Sequence, residues 1–228
     1  MLSKLPAWIG LGAFSLAFTA GSTNVFVLES VLHQAATHHT GTSSNMMIAL
    51  SKGEYSLALH LFLFILAFVS GSVLSGFIIR DSHLTLGRRY GVSLLLESLA
   101  ILVAWRIFGG SPFAGQLLLC TASGLQNALA TTYSGAVIRT THLSGVFTDI
   151  GILFGNRMAG IPMPAKKLRL LTDILSGFLF GGLAGAMLLP VIGDAVLAIP
   201  AAISGGLGSG YFIYRRVQQR GAPRPVRR

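Results

Sequence analysis

The segment Thr37-His38-His39-Thr40-Gly41-Thr42-Ser43-Ser44-Asn45 returns in degenerate form as Thr141-His142-Leu143-Ser144-Gly145-Val146-Phe147-Thr148-Asp149, so the chain is an internal repeat of two halves. Each copy follows a Gly-x-x-Asn in an apolar run, Gly21-Ser22-Thr23-Asn24 in the first half and Gly124-Leu125-Gln126-Asn127 in the second. A further correspondence pairs Ser70-Gly71 and Ser75-Gly76 with Ser176-Gly177 and Gly181-Gly182. In a membrane chain, two matching halves are the signature of a transporter-like fold.

The membrane assignment rests on composition. The chain is 52% hydrophobic and 11% charged, against roughly 25% charged in soluble domains. Its 28 glycines suit helices that associate in lipid by close backbone approach. The single Cys120 excludes an intramolecular disulfide and reads as a buried thiol.

Crossing a bilayer core of roughly 30 Å takes about 20 mostly apolar residues. Six windows qualify: 6–31, 56–79, 90–108, 114–136, 168–190 and 194–214. Two amphipathic stretches, 42–51 and 146–156, are too short to cross and read as half-helices or re-entrant segments. The start of the chain resembles a secretory signal, but bulky Phe18 disfavours cleavage after Ala20, so it reads as a retained first span. The expected fold is therefore an all-α membrane protein whose six transmembrane helices form two inverted three-helix repeats, residues 1–108 and 109–214. A basic cytoplasmic tail, 215–228, follows.

Orientation comes from the cations. Arg80, Arg88, Arg89, Arg139, Arg157, Lys166, Lys167, Arg169 and the arginines from Arg215 onward fall on one side of this topology. The other side holds Lys52 and, at a helix end, Arg106. The positive-inside rule makes both termini cytoplasmic. Trp8, Tyr90, Tyr211 and Tyr214 then fall at cytoplasmic helix ends, and Tyr55 and Trp105 at outer ones, as an aromatic belt requires. The net charge of +10 is accounted for by this topology and by a tail suited to anionic lipid, without a nucleic-acid partner.

The motif Gly124-Leu-Gln-Asn127-Ala, followed by Arg139-Thr-Thr-His142-Leu-Ser-Gly145-Val-Phe-Thr-Asp149-Ile-Gly151, resembles the second-half signature of the bacterial YoaK family, also called the DUF1275 family. The likeness covers nearly the whole chain. In the first half the family shows Thr-Gly-Asn; here Thr40-Gly41-Thr42 departs at the third position, with Asn45 one turn later. The resemblance implies a six-span protein of the bacterial inner membrane with no established biochemical activity.

The paired motifs supply the candidate residues. Asn24 and Asn127 each share a helical face with a glycine, which admits a neighbouring backbone or a ligand. They bind a substrate or hydrogen-bond across helices. Thr40-Gly41 and Ser144-Gly145 suit a break followed by a helix start, the hydroxyl capping free N–H groups. Such a terminus facing a cavity attracts anions or carbonyl oxygens. Asp149, matched by neutral Asn45, either binds a cation or proton or pairs with Thr148, Arg139 or Arg157.

Thus Asn24, Thr40, Gly41, Asn45, Asn127, Ser144, Gly145 and Asp149 are candidate substrate contacts. Asp149, His142, His38 and Glu97 are candidate proton-coupling groups. The histidines His33, His38 and His39 lack the acid or Cys that would complete a metal-ligand set, so neither metal nor cofactor is expected. No hydrolase elbow, zinc-protease motif, phosphate loop or dinucleotide fingerprint is present, which argues against an enzyme. Gly205-Gly206-Leu207-Gly208-Ser209-Gly210 lies inside the sixth window, where helix packing explains it. The expected partners are the lipid bilayer, a small solute and a second copy of the chain. The competing class is a membrane scaffold or regulatory protein that moves nothing.

Overall fold

A computed structural model describes residues 9–30, 33–80, 88–134 and 140–221. The expectations attached to Trp8, Arg139 and the part of the tail beyond residue 221 lie outside them. Among the described residues the protein is helical throughout, with no strand. The helices run α1 (Ile9–Glu29), α2 (His39–Ser51), α3 (Tyr55–Ile79), α4 (Arg88–Phe108), α5 (Pro112–Ser134), α6 (Leu143–Met158), α7 (Ala165–Ile192) and α8 (Ala198–Gly221). A 3-10 turn, Gly193–Leu197, joins the last two. Among the described residues four stretches are long and apolar enough to cross a membrane: Ile9–Glu29, Tyr55–Ile79, Arg89–Phe108 and the compound stretch Ala165–Ile213. Several such apolar helices mark the chain as a membrane protein.

Large apolar side chains point outward, including Leu59, Phe62, Val73 and Phe77 on α3 and Phe180, Leu183 and Met187 on α7. The interior holds much of the polar inventory of α1 and α5: Thr19, Ser22, Thr23, Asn24, Gln116, Ser123 and Gln126 are all buried. That inversion is stable where the surrounding solvent is hydrocarbon and buried polar groups bond to one another. Two apolar clusters complete the interior. One joins α1, α6 and α7 around Ala17, Val146 and Ile174. The other joins α1, α3, α4 and α5 around Phe26, Phe64, Phe108 and Leu119.

The main helix contacts repeat. α1 packs most extensively on α7, α3 on α5, and α4 on α8. A Cβ added at Gly21 would run into the Phe178 carbonyl, and one at Gly181 into the Phe18 carbonyl. In the other pair, Gly124 meets the Phe68 carbonyl and Gly71 the Thr121 carbonyl. All four glycines permit backbone-to-backbone contact that a side chain would forbid. Ser72 Oγ also donates to the Gly124 carbonyl at 3.1 Å, where its structural counterpart Gly182 approaches the Gly21 carbonyl.

These contacts match Gly71 to Gly181 and correct the sequence pairing of Gly71 with Gly177 by one helical turn. The reason is geometric. Small residues four apart lie on one helix face, so the sequence offers two equivalent registers and only the opposing carbonyl selects between them.

The ends of the elements repeat too. The residues preceding α2 and α6, His38 and His142, have φ/ψ of −102°/64° and −99°/66°. α2 and α6 are each followed by a glycine with positive φ, Gly53 at 75° and Gly160 at 82°. Arg80 after α3 (φ 57°, ψ −160°) matches Gly193 after α7 (φ 58°, ψ −145°).

Candidate functional site

The repeated motif folds as a loop tied to a long helix, followed by a short one. In the first half, Asn24 of α1 is buried and its Oδ1 accepts two bonds from Thr37, one from the backbone N–H at 3.2 Å and one from the hydroxyl at 2.9 Å. In the second half the Thr141 hydroxyl donates to Asn127 Oδ1 at 3.1 Å. The matched asparagines therefore hold matched threonines, and each fixes the approach of the short helix that follows.

Glutamines of α5 strengthen both loops. Gln116 Nε2 donates to the Gln34 carbonyl at 2.7 Å. Gln126 Nε2 donates to the Leu16 carbonyl of α1 at 2.6 Å and to the Thr140 hydroxyl at 3.3 Å. α5 thereby touches both repeated loops.

The hydroxyls of Thr40 and Ser144 do not cap the short helices. The cap positions belong to His38 and His142, and neither makes a side-chain cap bond. Thr40-Gly41 and Ser144-Gly145 sit inside the first turn. There Thr40 and Ser144 offer their carbonyls to Ser44 Oγ at 3.1 Å and Thr148 Oγ1 at 2.9 Å. The hydroxyls nearest the start of each copy, on Thr37 and Thr141, turn back to the asparagines instead. Gly41 leaves room for the His38 ring, which a Cβ would meet at 2.6 Å.

The His39 ring packs on Phe68 with centroids 4.3 Å apart, and both its ring nitrogens are buried without a hydrogen bond. The Ala36 backbone is close enough to act on the ring, and His38 and His142 lie within electrostatic range of it.

Other candidates stand apart. Thr40, Asn45, Ser144 and Gly145 are exposed. Asp149 is partly exposed and takes an ion pair from Lys167 Nζ at 3.1 Å, a partner at the start of α7 in place of the Arg157 considered from sequence. Glu97 is buried to 1% on α4, at the α8 side, away from the motif. Thr37, Thr141, Gln116 and Gln126 join the candidate site without having been among its sequence candidates, and His39, weighed there only as a metal ligand, packs beside them. Thr37 and Thr141 had a signal, as the first residues of each copy, whereas Gln116 had none.

A cavity of about 340 Å³ opens where the ends of α1, α4 and α7 meet, lined by Phe26, Glu29, Ser30, Phe108 and Asp194 among others. Its two carboxylates suit a cationic or hydrogen-bond-donating solute. Among the described residues no group of three His, Cys, Asp or Glu side chains is arranged to hold a metal ion.

Apolar helices around a polar, repeat-symmetric interior define a class of membrane protein. The chain belongs to the family described as Protein of unknown function (DUF1275), whose model matches residues 12–209. No curated protein matches the chain. No solved structure matches it.

Proposed function

We propose that this is a six-span protein of the bacterial inner membrane that moves a small polar solute, with α2 and α6 as the gating elements and both termini cytoplasmic. The observation that carries the reading is the matched pair of asparagine-tethered loops, each leading from a long helix into a short one. Broken or short helices at matched places in two related halves are the elements from which alternating access is built.

The helix count is supported by the compound stretch Ala165–Ile213, whose 49 residues would extend roughly 73 Å as one straight helix. The break at Gly193 divides it into two lengths that each suit one crossing. α5 has 23 residues, enough for a further crossing despite its polar face. Three spans per half invert one half relative to the other, and the exchange of partners, α1 on α7 and α5 on α3, fits that relation. The cavity at Glu29 and Asp194 then opens to the outside, as a vestibule for the solute.

One observation favours a scaffold instead: Asn24 and Asn127 are engaged within the chain, as interhelical glue would be. The two readings separate in one experiment. Cysteines at His39 and His142, in a Cys120→Ser background, are joined by a short bifunctional reagent in proteoliposomes. The solutes offered are those that raise the melting temperature in a screen of small metabolites. Uptake that occurs in the unlinked protein and stops on crosslinking supports gating. Uptake unaffected by efficient crosslinking removes the gate, and stabilising ligands with no uptake support the scaffold.

A further inference from the structure

The strongest unexplained chemistry lies at the α4–α8 interface, outside the repeated motif. Glu97 is buried to 1%, Ser93 and Ser204 to 0%. Glu97 Oε2, Ser93 Oγ and Ser204 Oγ all lack a hydrogen-bond partner. Ser93 and Glu97 are one turn apart on the same face of α4. Ser204 reaches them from α8, close enough for its hydroxyl to act on the carboxyl but without a bond of good geometry. Three convergent oxygens that nearly satisfy one another mark a place for a small third party.

The charge balance requires one. A carboxylate taken out of water costs several kcal/mol unless it is neutralised. The elements packed against α4 are α3, α5, α8 and the 3-10 turn. Their titratable groups with described side chains include Tyr55 and His60 on α3, Cys120 on α5, Asp194 on the turn and Tyr211 on α8; α4 itself carries Arg89, Tyr90 and Arg106. Among the described side chains, burial and the Ser204 hydroxyl act on the Glu97 carboxyl and none of these groups does. Within them no cation offsets the carboxylate, which leaves that part to a bound species.

Size narrows the choice. A Cβ on Gly208 would lie 3.0 Å from the Gly91 carbonyl, and one on Gly205 2.8 Å from Ser98 Oγ. The backbones approach too closely for an organic solute. Ser98 Oγ is already committed to the Ala201 carbonyl at 2.7 Å, which pins the two helices on either side of the carboxyl. One carboxylate with hydroxyl oxygens is the donor set of a hard cation, and its single negative charge is balanced by a monovalent one.

We propose that Glu97, Ser93 and Ser204 form a monovalent-cation site, taking a proton or Na⁺, between α4 and α8. Occupancy neutralises the carboxyl and holds the two helices together; release leaves an unpaired charge that drives them apart. The site does not depend on the transport reading, because binding is measured without any solute.

The test uses the full chain in detergent, titrated with NaCl against choline chloride at constant ionic strength and, separately, with acid. The expected result is a wild-type melting temperature that rises with either cation, and a Glu97→Gln variant that responds to neither. An infrared band of a protonated carboxyl should be present in wild type in choline and missing from Glu97→Gln. Loss of that band on adding NaCl assigns Na⁺, and its persistence assigns the proton. Ser204→Ala and Ser93→Ala, which need no new charge to be tolerated, should each raise the cation concentration for half response by about tenfold. They decide the matter if Glu97→Gln fails to fold. A wild-type protein with an ionised Glu97 and no cation response, or serine variants with an unchanged midpoint, would overturn the site.

Discussion

The two short-helix regions share a plan and differ in how firmly it is executed. In the first, Asn24 is buried and holds Thr37 through two bonds, and α2 packs extensively on α3. In the second, Asn127 is half-buried and, among the described residues, accepts one bond, from the Thr141 hydroxyl at 3.1 Å, while α6 packs less extensively on α7. Asp149 on α6 is engaged by Lys167, whereas Asn45 at the matching place on α2 is exposed and uncharged. A repeat fixes which groups meet; burial decides how tightly they hold. The first region is the better sealed and the second the more readily displaced, which is the asymmetry that a two-gate protein in one of its states requires.

The glycine contacts are the sharpest test that the halves are equivalent. Gly21→Leu and Gly124→Leu should each force a backbone contact open and cost roughly 3 kcal/mol or more, at or above the usual range for overpacking. Unfolding by SDS titration measures it. Equal losses support the matched packing, while a tolerated substitution at either position would break the comparison.

The tethers come next. Asn24→Ala should lose about 1–3 kcal/mol by the same measurement, because two donors on Thr37 are left without their acceptor. Asn127→Ala should lose about 1 kcal/mol or less, in keeping with single interhelical bonds in membranes. Reversal of that order would mean that the first loop is not the tighter one.

Arg80 adopts a positive φ where its structural counterpart is Gly193, so Arg80→Gly should stabilise the protein by about 1 kcal/mol through relief of strain. A melting temperature that falls would show that the Arg80 side chain contributes more than its backbone costs. Smallest of all, Asp149→Asn should change stability by about 0–1 kcal/mol, since the pair with Lys167 is solvent-exposed in part. A large loss would place Asp149 among the structural groups and leave the second loop as firmly held as the first.

Much of the fold was legible in the chain. The helices fall within a few residues of the six apolar windows and the two short stretches, since length and apolarity are local quantities. Both Gly-x-x-Asn motifs were found, but their partners Thr37 and Thr141 were not, although each opens its copy of the repeat. The distinction between a capping hydroxyl and one turned back to an asparagine depends on the path of the loop. Lys167 was missed for Asp149 because a turn and the start of α7 separate them in sequence.

By itself the sequence determined the membrane environment, the helix lengths and the existence of two related halves, because hydropathy and repetition are written residue by residue. Tertiary structure alone decided that Gly71 answers to Gly181, that Asn24 and Asn127 hold Thr37 and Thr141, and that Glu97 is closed in between α4 and α8 with two unpartnered serines. Each of these depends on which faces of distant helices meet. A face carries small residues in more than one equivalent register, and only the opposing backbone chooses among them.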